Sequence, residues 1–308
     1  MTTAVLLMAY GGPRTLAEVE PYYTDIRGGR HPTPELLAVL VDRYAAIGGR
    51  SPLPERMAAQ RDAVQRALDA SSPGGYRVVT AMKHTEPRIE DVVAALSAQG
   101  ARQIVGVVMA PHWSVGSVGE YHDRARTTAK STGIEYVAID DWHLMPAYLD
   151  FLAGAIRRGM AELPPASKVV FTAHSLPKRV AGGWDDPYPT GVRETAQAVA
   201  TEIGLAPWAS WSVAYQSAGR TAESWLGPDL LTLIDDLAAA DGRTGILVCP
   251  CGFVADNLEL LYDLDIDARR RAEAGGLAFA RTPAVNDDPR VMAGLARIVL
   301  AHAGAGAG

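Results

Sequence analysis

Two stretches, AVLLMAYGGP at residues 4–13 and KVVFTAHSLP at residues 168–177, share one layout. Each is an apolar run, then Ala, then one side chain able to do chemistry, then two residues and Pro. Tyr10 and His174 hold equivalent places, about half the 308-residue chain apart, as two similar α/β halves would give. In an open α/β sheet, ligands bind in the crevice beyond the carboxyl ends of the strands. Two such halves facing each other would present Tyr10 and His174 to one ligand from opposite sides. The plainer alternative is that His174 only bonds a backbone group at a strand end.

The rest of the chain repeats the pattern. Apolar runs at 4–9, 76–82, 103–110, 134–139, 168–173, 210–214, 244–249 and 277–280 predict strands. Amphipathic stretches at 36–46, 56–70, 88–98 and 191–203 predict helices between them. This alternation predicts an α/β fold with helices covering parallel sheets. Near-continuous apolar strands such as QIVGVVMA say the same, because parallel sheets are buried on both faces. The aromatic, Pro-containing connector DDWHLMPAYL at 140–149 places the border between an N-terminal domain, 1–146, and a C-terminal domain, 147–286. A last helix, 287–303, is expected to pack back on the first domain, and the AGAGAG tail is expected to be disordered.

Composition narrows the function. The chain is 48% hydrophobic and 21% charged, with a net charge of −6; its mean hydropathy is +0.02 and its pI about 5.7. That composition is ordinary for a globular enzyme and argues against a nucleic-acid partner. The apolar run after MTT breaks at Gly-Gly-Pro, too short for a signal peptide or a transmembrane segment, so a cytoplasmic protein is expected. Cys249 and Cys251 cannot build a disulfide framework, and reduced thiols suit the cytosol.

A second candidate region is CPCGFVADNLELLYDLDID, residues 249–267. A strand ends, Gly252 turns the chain, and a helix is expected from about Asp256. Glu259, Asp263 and Asp267 follow at intervals of four, on one helix face. Three acids in a row call for a cation or proton among them, and few basic residues stand nearby in sequence. Glu259 alone has a bland reading, as the far end of an Asp256–Glu259 capping box. A neutral His with a carboxylate suits a borderline divalent ion such as Fe(II), held by few ligands with open positions.

With these segments in place the chain resembles the ferrochelatases, enzymes that insert Fe(II) into a porphyrin. The resemblance runs in order through LLMAYGGP, YYTDIRGGR, DRYAAIGGRSPL, MKHTEPRIEDVV, VVMAPHWSVGSVGEY, TAHSLP, DPYP, AYQSAGRTAESWLGPD, CGFVADNLELLYDLDID and NDDPRVMAGLARIV. It implies two flavodoxin-like, Rossmann-type domains of the chelatase kind, with the porphyrin between them. It implies that His174, Glu259 and Asp263 are catalytic and that His174 and Glu259 handle the metal. One departure is Asn257, where the family often has His after the Asp. The resemblance is closer to the bacterial coproporphyrin III type, which has Tyr where Tyr10 stands and lacks a hydrophobic lip. The expected reaction is Fe(II) insertion into coproporphyrin III, giving iron coproporphyrin III in haem biosynthesis.

Substrate carboxylates need basic or hydroxyl partners. Tyr10, Arg27, Arg43, Tyr44, Ser51 and Tyr121 in the family-like segments are the expected substrate-binding residues, with Arg30 and Arg50 nearby. No organic cofactor is implied beyond the substrate iron. Some family members carry an iron–sulfur cluster on four cysteines, and two cysteines fall short of that set. A monomer in passing contact with other haem-pathway enzymes is expected. The alternatives are a protoporphyrin IX ferrochelatase, a cobalt or nickel chelatase for a sirohydrochlorin-like ring, and a non-enzymatic haem or porphyrin carrier. A hydrolase built on His174–Ser175 fails because adjacent residues rarely align as base and nucleophile, and no G-x-S-x-G elbow is present.

Overall fold

The protein is described by a computed structural model over residues 3–181, 187–206, 209–219 and 223–305. Asp186 of DPYP, residues 220–222 of the AYQSAGRTAESWLGPD segment and the last three residues of the AGAGAG tail lie outside the described residues.

All eight expected strands form. In the first half β1 (Thr3–Ala9), β2 (Tyr76–Met82), β3 (Gln103–Val108) and β4 (Glu135–Ile139) make a parallel sheet in the order β2-β1-β3-β4. In the second half β5 (Lys168–His174), β6 (Trp211–Gln216), β7 (Gly245–Cys249) and β8 (Ala278–Arg281) repeat it as β6-β5-β7-β8, also parallel. β1 and β5 hold the same place in the two sheets, as the AVLLMAYGGP and KVVFTAHSLP match requires.

Periodicity of two explains why the strands can be apolar throughout. In β1, Val5, Leu7 and Ala9 face one helix layer while Ala4, Leu6 and Met8 face the other, and all six are buried. In β5, Val169, Phe171 and Ala173 face one way and Val170 the other. One face of each sheet contributes to a single hydrophobic cluster that spans both halves.

The helices fill the expected intervals. α1 (Val19–Ile26), α2 (Pro34–Ala46) and α3 (Leu53–Ser71) separate β1 from β2; α4 (Ile89–Ala98) follows β2. After β3, a π-turn at Val115–Gly119 runs into α5 (Glu120–Thr132). α6 (Pro146–Ala161) opens the second half, followed by α7 (Lys178–Ala181), α8 (Pro187–Glu202) and α9 (Leu230–Ala239). A π-helix, Glu259–Ala268, runs into α10 (Arg269–Ala274), and α11 (Pro289–Ala305) closes the described chain. α11 lies against α3, α6 and the β3–β4 side of the first sheet.

The connector is tied to both halves. Trp142 donates through Nε1 to Val108 O at 3.1 Å, and His143 Nε2 lies 3.0 Å from Glu194 on α8. A fourth, smaller cluster joins α1 and α2 to the start of the π-helix: Val19, Tyr22 and Tyr44 pack with Leu258, and Tyr262 leans on them. No helix among the described residues is long and apolar enough to cross a membrane.

Candidate active site

The first wall is built at the ends of β1 and β2. β1 stops at Ala9, and Tyr10 follows as a residue 38% exposed. Gly11 has φ 94°, and a Cβ there would stand 2.4 Å from Thr85 Oγ1, so only glycine fits this turn. A Cβ on Gly12 would likewise stand 2.4 Å from Ser51 Oγ. The Tyr10 ring lies 4.4 Å from the His84 ring and meets Tyr22 edge-on at 6.4 Å. Its phenol is pushed up, by burial first and then by the charges of Glu259, Glu120 and Asp25. Lys83 puts Nζ 5.2 Å from the Tyr121 ring and 6.0 Å from the Tyr10 ring, and pairs with Glu120 at 2.7 Å.

His84 Nδ1 lies 2.7 Å from Asp25 Oδ2, and Asp25 also receives two bonds from Arg88, at 3.0 and 2.9 Å. Burial raises the Asp25 carboxyl, but the hydrogen bonds from Arg88 and His84 outweigh it and leave the group below its usual range. Sequence reasoning assigned no role to Lys83, His84 or Asp25. The available signal was position: Lys83 and His84 follow β2 directly, as Tyr10 follows β1.

The second wall is built at the end of β5. The strand runs one residue further than expected, so His174 is its last residue, paired with Gln216 of β6. His174 Nδ1 lies 2.6 Å from Ser175 O. A carbonyl only accepts, so Nδ1 carries the proton and Nε2 of the neutral ring carries the lone pair. The Tyr188 hydroxyl donates to His174 O at 2.8 Å and fixes the backbone beneath. His174 does bond a backbone group, as the plainer alternative held, but with the nitrogen that leaves the other free as a base.

Glu259 is the first residue of the π-helix and is partly buried. It caps nothing. Asn257 Oδ1 accepts from Leu260 N at 3.0 Å, and Leu261 N donates to Asn257 O at 3.1 Å. Asn257 therefore takes the capping role, and the expected Asp256–Glu259 box does not form. Burial pushes the Glu259 carboxyl up; His174 pulls it down, Asp263 pushes it up, and Arg43 pulls it down. Glu259 in turn raises the phenols of Tyr10 and Tyr44 across the crevice.

The acidic row is not short of bases. Asp263 pairs with Arg43 of α2 and accepts from Ser217 Oγ at 2.5 Å. Asp265 takes both arms of Arg281, at 2.7 and 2.8 Å, and Asp267 pairs with Arg270 at 3.2 Å. Asp263 and Asp267 thus find their cations in arginines, which corrects the expectation that they have few basic neighbours. Among the described residues no three His, Cys, Asp or Glu side chains are grouped to hold a metal ion.

Several expected substrate contacts are engaged elsewhere. Arg43 is committed to Asp263 and lies over the Tyr262 ring at 4.9 Å. Tyr44 and Tyr121 are buried, and buried Ser51 donates its N–H to Pro13 O at 2.8 Å while its Oγ accepts from Leu53 N at 3.3 Å. Arg27 and Arg30 each donate to the other's carbonyl, at 3.2 and 3.1 Å, on the segment after α1. Arg50 pairs with Glu55 in solvent, at 3.0 Å. Cys249 and Cys251 are both fully buried, and burial pushes the Cys249 thiol up to about 12.

One wall carries Tyr10 beside Lys83 and His84, and the other an imidazole with an open Nε2 near a raised carboxyl, a set of groups suited to moving protons. Comparison with known proteins gives that chemistry a family. Among solved structures, the fold is similar to the chelatase SirB of Bacillus subtilis, with a TM-score of 0.57 and 15% identity, covering 99% of this chain and 97% of that one. It is also similar to CbiX of denitrifying bacteria, with a TM-score of 0.54 and 13% identity, over 98% and 99% of the two chains. Among curated sequences, a ferrochelatase of Herpetosiphon aurantiacus is 42% identical, over 93% of this chain and 94% of its own. A coproporphyrin III ferrochelatase of Halalkalibacterium halodurans is 38% identical, over 96% and 95%. The ferrochelatase family profile matches residues 2–303, and with that span the chain belongs to the ferrochelatases, the lyases that insert iron into a porphyrin.

Proposed function

We propose that this ferrochelatase acts on coproporphyrin III, giving iron coproporphyrin III in haem biosynthesis. The observation that carries the reading is the exposed Tyr10 ring at the end of β1, beside Lys83 and His84. It brings a phenol oxygen and the Lys83 ammonium to the wall opposite the imidazole. Relatives at 38% identity that bear the name coproporphyrin III ferrochelatase support the same reading.

Insertion removes two protons from the pyrrole nitrogens as Fe(II) enters. His174 Nε2 accepts the two pyrrole protons in turn, handing the first to Glu259 before it takes the second, because its tautomer is set by Ser175 O. Glu259, whose carboxyl is raised by burial, takes the proton on and passes it outward along the π-helix. Tyr10 faces the ring from the other side. Cys249 and Cys251, both in the packed core, ligate no cluster in this reading. In this reading the protein works in the cytoplasm as a single chain.

Coproporphyrin III has four propionates where protoporphyrin IX has two. Arg43 and Lys83 are paired with Asp263 and Glu120, and Ser51 and Tyr121 are buried, so the extra carboxylates fall to Arg27 and Arg30. Charged hydrogen bonds are worth roughly 1.5–3 kcal/mol each when shielded, and less in solvent. A preference of up to about tenfold in kcat/KM for coproporphyrin III follows from one such bond at the partly exposed Arg27. Anaerobic Fe(II) insertion into both porphyrins under matched detergent measures it. Equal values, or a preference for protoporphyrin IX, overturn the assignment.

A further inference from the structure

We infer that Asn286 is a positioning residue for Glu259, the knot through which α3 of the first half sets where the π-helix begins. The inference rests on the reading of Glu259 as the working carboxylate beside His174. Asn286 follows β8 and has φ 47°, in the left-handed region that Asn tolerates better than most residues. Its side chain is used at both ends: Oδ1 accepts from Asp256 N at 3.0 Å, and Nδ2 donates to Asp256 Oδ2 at 2.9 Å. Its main chain is used as well. Asn286 N donates to Val254 O at 2.9 Å, and Asn286 O accepts from Gln60 Nε2 at 2.9 Å.

Gln60 and Arg56 both belong to α3. Gln60 is fully buried, and its Nε2 also reaches Val254 O at 3.1 Å. Arg56 Nη2 donates to Asp256 Oδ2 at 2.9 Å. From the second half Arg281, which grips Asp265 inside the π-helix, places Nη2 3.8 Å from Asp256 Oδ1. Asp256 thus receives Arg56, Asn286 and the field of Arg281, three residues before Glu259. Immediately after it comes Asn257, whose Oδ1 fixes Leu260 N. A solvated approach to a helix would leave these groups to water. Here the approach is gripped from both halves, so the position of Glu259 is set relative to α3 and the first wall as well as to its own sheet. Small displacements of a reacting group are expensive: about 1 Å can cost roughly 100-fold in rate.

The test is Asn286→Gly. Glycine keeps the positive φ and both main-chain bonds and removes only the two bonds to Asp256. The expected result is a fall of roughly 10- to 100-fold in kcat per folded molecule, with the porphyrin KM within about twofold of wild type. Arg56→Gln should lower kcat in the same direction by less, Arg56→Lys should restore most of it, and the double variant should lose less than the product of the single losses. Those results, together with loss of turnover in Glu259→Gln, support the inference. Wild-type kcat per folded molecule in Asn286→Gly, whatever its melting temperature, overturns it while an inactive Glu259→Gln leaves the reading of Glu259 standing. Normal turnover in Glu259→Gln removes both, since no carboxylate is then left to position. If Asn286→Gly fails to fold, Arg56→Gln decides, with unchanged kcat counting against the inference.

Discussion

The roles proposed for His174 and Glu259 rest on one neighbour in the first case and on burial in the second. Ser175 O fixes the protonated nitrogen of His174, so the lone pair is left on Nε2. Burial raises the carboxyl of Glu259, which fits a group that takes up and releases protons. His174→Ala should therefore lower insertion by at least about 100-fold, and Glu259→Gln by a similar order, with the fold intact by circular dichroism. Because Asn257 supplies the cap, Gln at position 259 cannot be excused as a lost helix start. Turnover within about threefold of wild type in either variant would remove that residue from the chemistry. Their placement was legible in the sequence for a local reason: Tyr10 follows a strand, His174 ends one, and Glu259 follows a strand and a turn. Arg43, Tyr44, Ser51 and Tyr121 were legible only as residue types. Ser51 is taken by Pro13 and Leu53, Arg43 by a carboxylate 220 positions away, and no local pattern carries such contacts. Lys83 and His84 were passed over because a Lys-His pair after a strand has no meaning until the Tyr10 ring lies beside it.

The π-helix shows what periodicity can and cannot reveal about an element. Acids four apart share a face in an α-helix, and at about 4.4 residues per turn they still lie within about 35° of one another, so the row was predictable without the helix type. The widened helix itself was not, since its register is held by groups from elsewhere: Arg43 on Asp263, Ser217 on the same carboxylate, and Arg281 on Asp265. Ser217 donates from a left-handed backbone, φ 62°, which no sequence window announces. The Arg43–Asp263 pair joins α2 of one half to the π-helix of the other, with side chains 22% and 18% exposed. Removing one partner leaves the other charge half-buried, a loss discounted here by its exposure to about 1–2 kcal/mol. Asp263→Asn and Arg43→Gln should each lower stability by that amount in urea titrations. Asp263→Asn should also lower turnover less than Glu259→Gln does. An Asp263→Asn protein of full stability but no activity would instead make Asp263 a reacting group.

The two halves are repeats in topology, and that much followed from two ten-residue stretches; how they are joined did not. One seam runs through His112, which follows β3 in the first half and bonds Thr195 on α8 in the second, Nε2 to Oγ1 at 2.9 Å. The Thr195 hydroxyl donates to His143 O at 3.3 Å, so His112 Nε2–H is the donor in the first bond and Nδ1 is buried without a partner. The His143 ring lies 5.5 Å away and the Tyr188 ring 6.3 Å. Burial, with the charge of His143 second, lowers His112 from 6.5 to about 3. A histidine whose folded value lies below its unfolded one binds its proton more tightly when unfolded. The stability it contributes is complete above about pH 6.5 and is lost progressively as the pH falls toward 3. At 1.36 kcal/mol per unit the loss reaches at most about 5 kcal/mol. His84 and His122 are lowered as well, by burial first, and add to the same slope. The lowered carboxyls of Asp25 and Glu90 lose stability only further down, below their usual values of 3.8 and 4.5. Of the lowered groups, only the buried histidines act between pH 6.5 and 4.5, and the raised carboxyl of Glu259 works against their slope there. His112→Gln keeps a donor toward Thr195 and cannot titrate. It should be less stable than wild type at pH 7.5 but fall less steeply with acid, so that the two curves converge by about pH 4.5 when midpoints are measured in urea across that range. Parallel curves would show that the seam at His112 opens to water before it protonates, and that acid reaches the fold elsewhere.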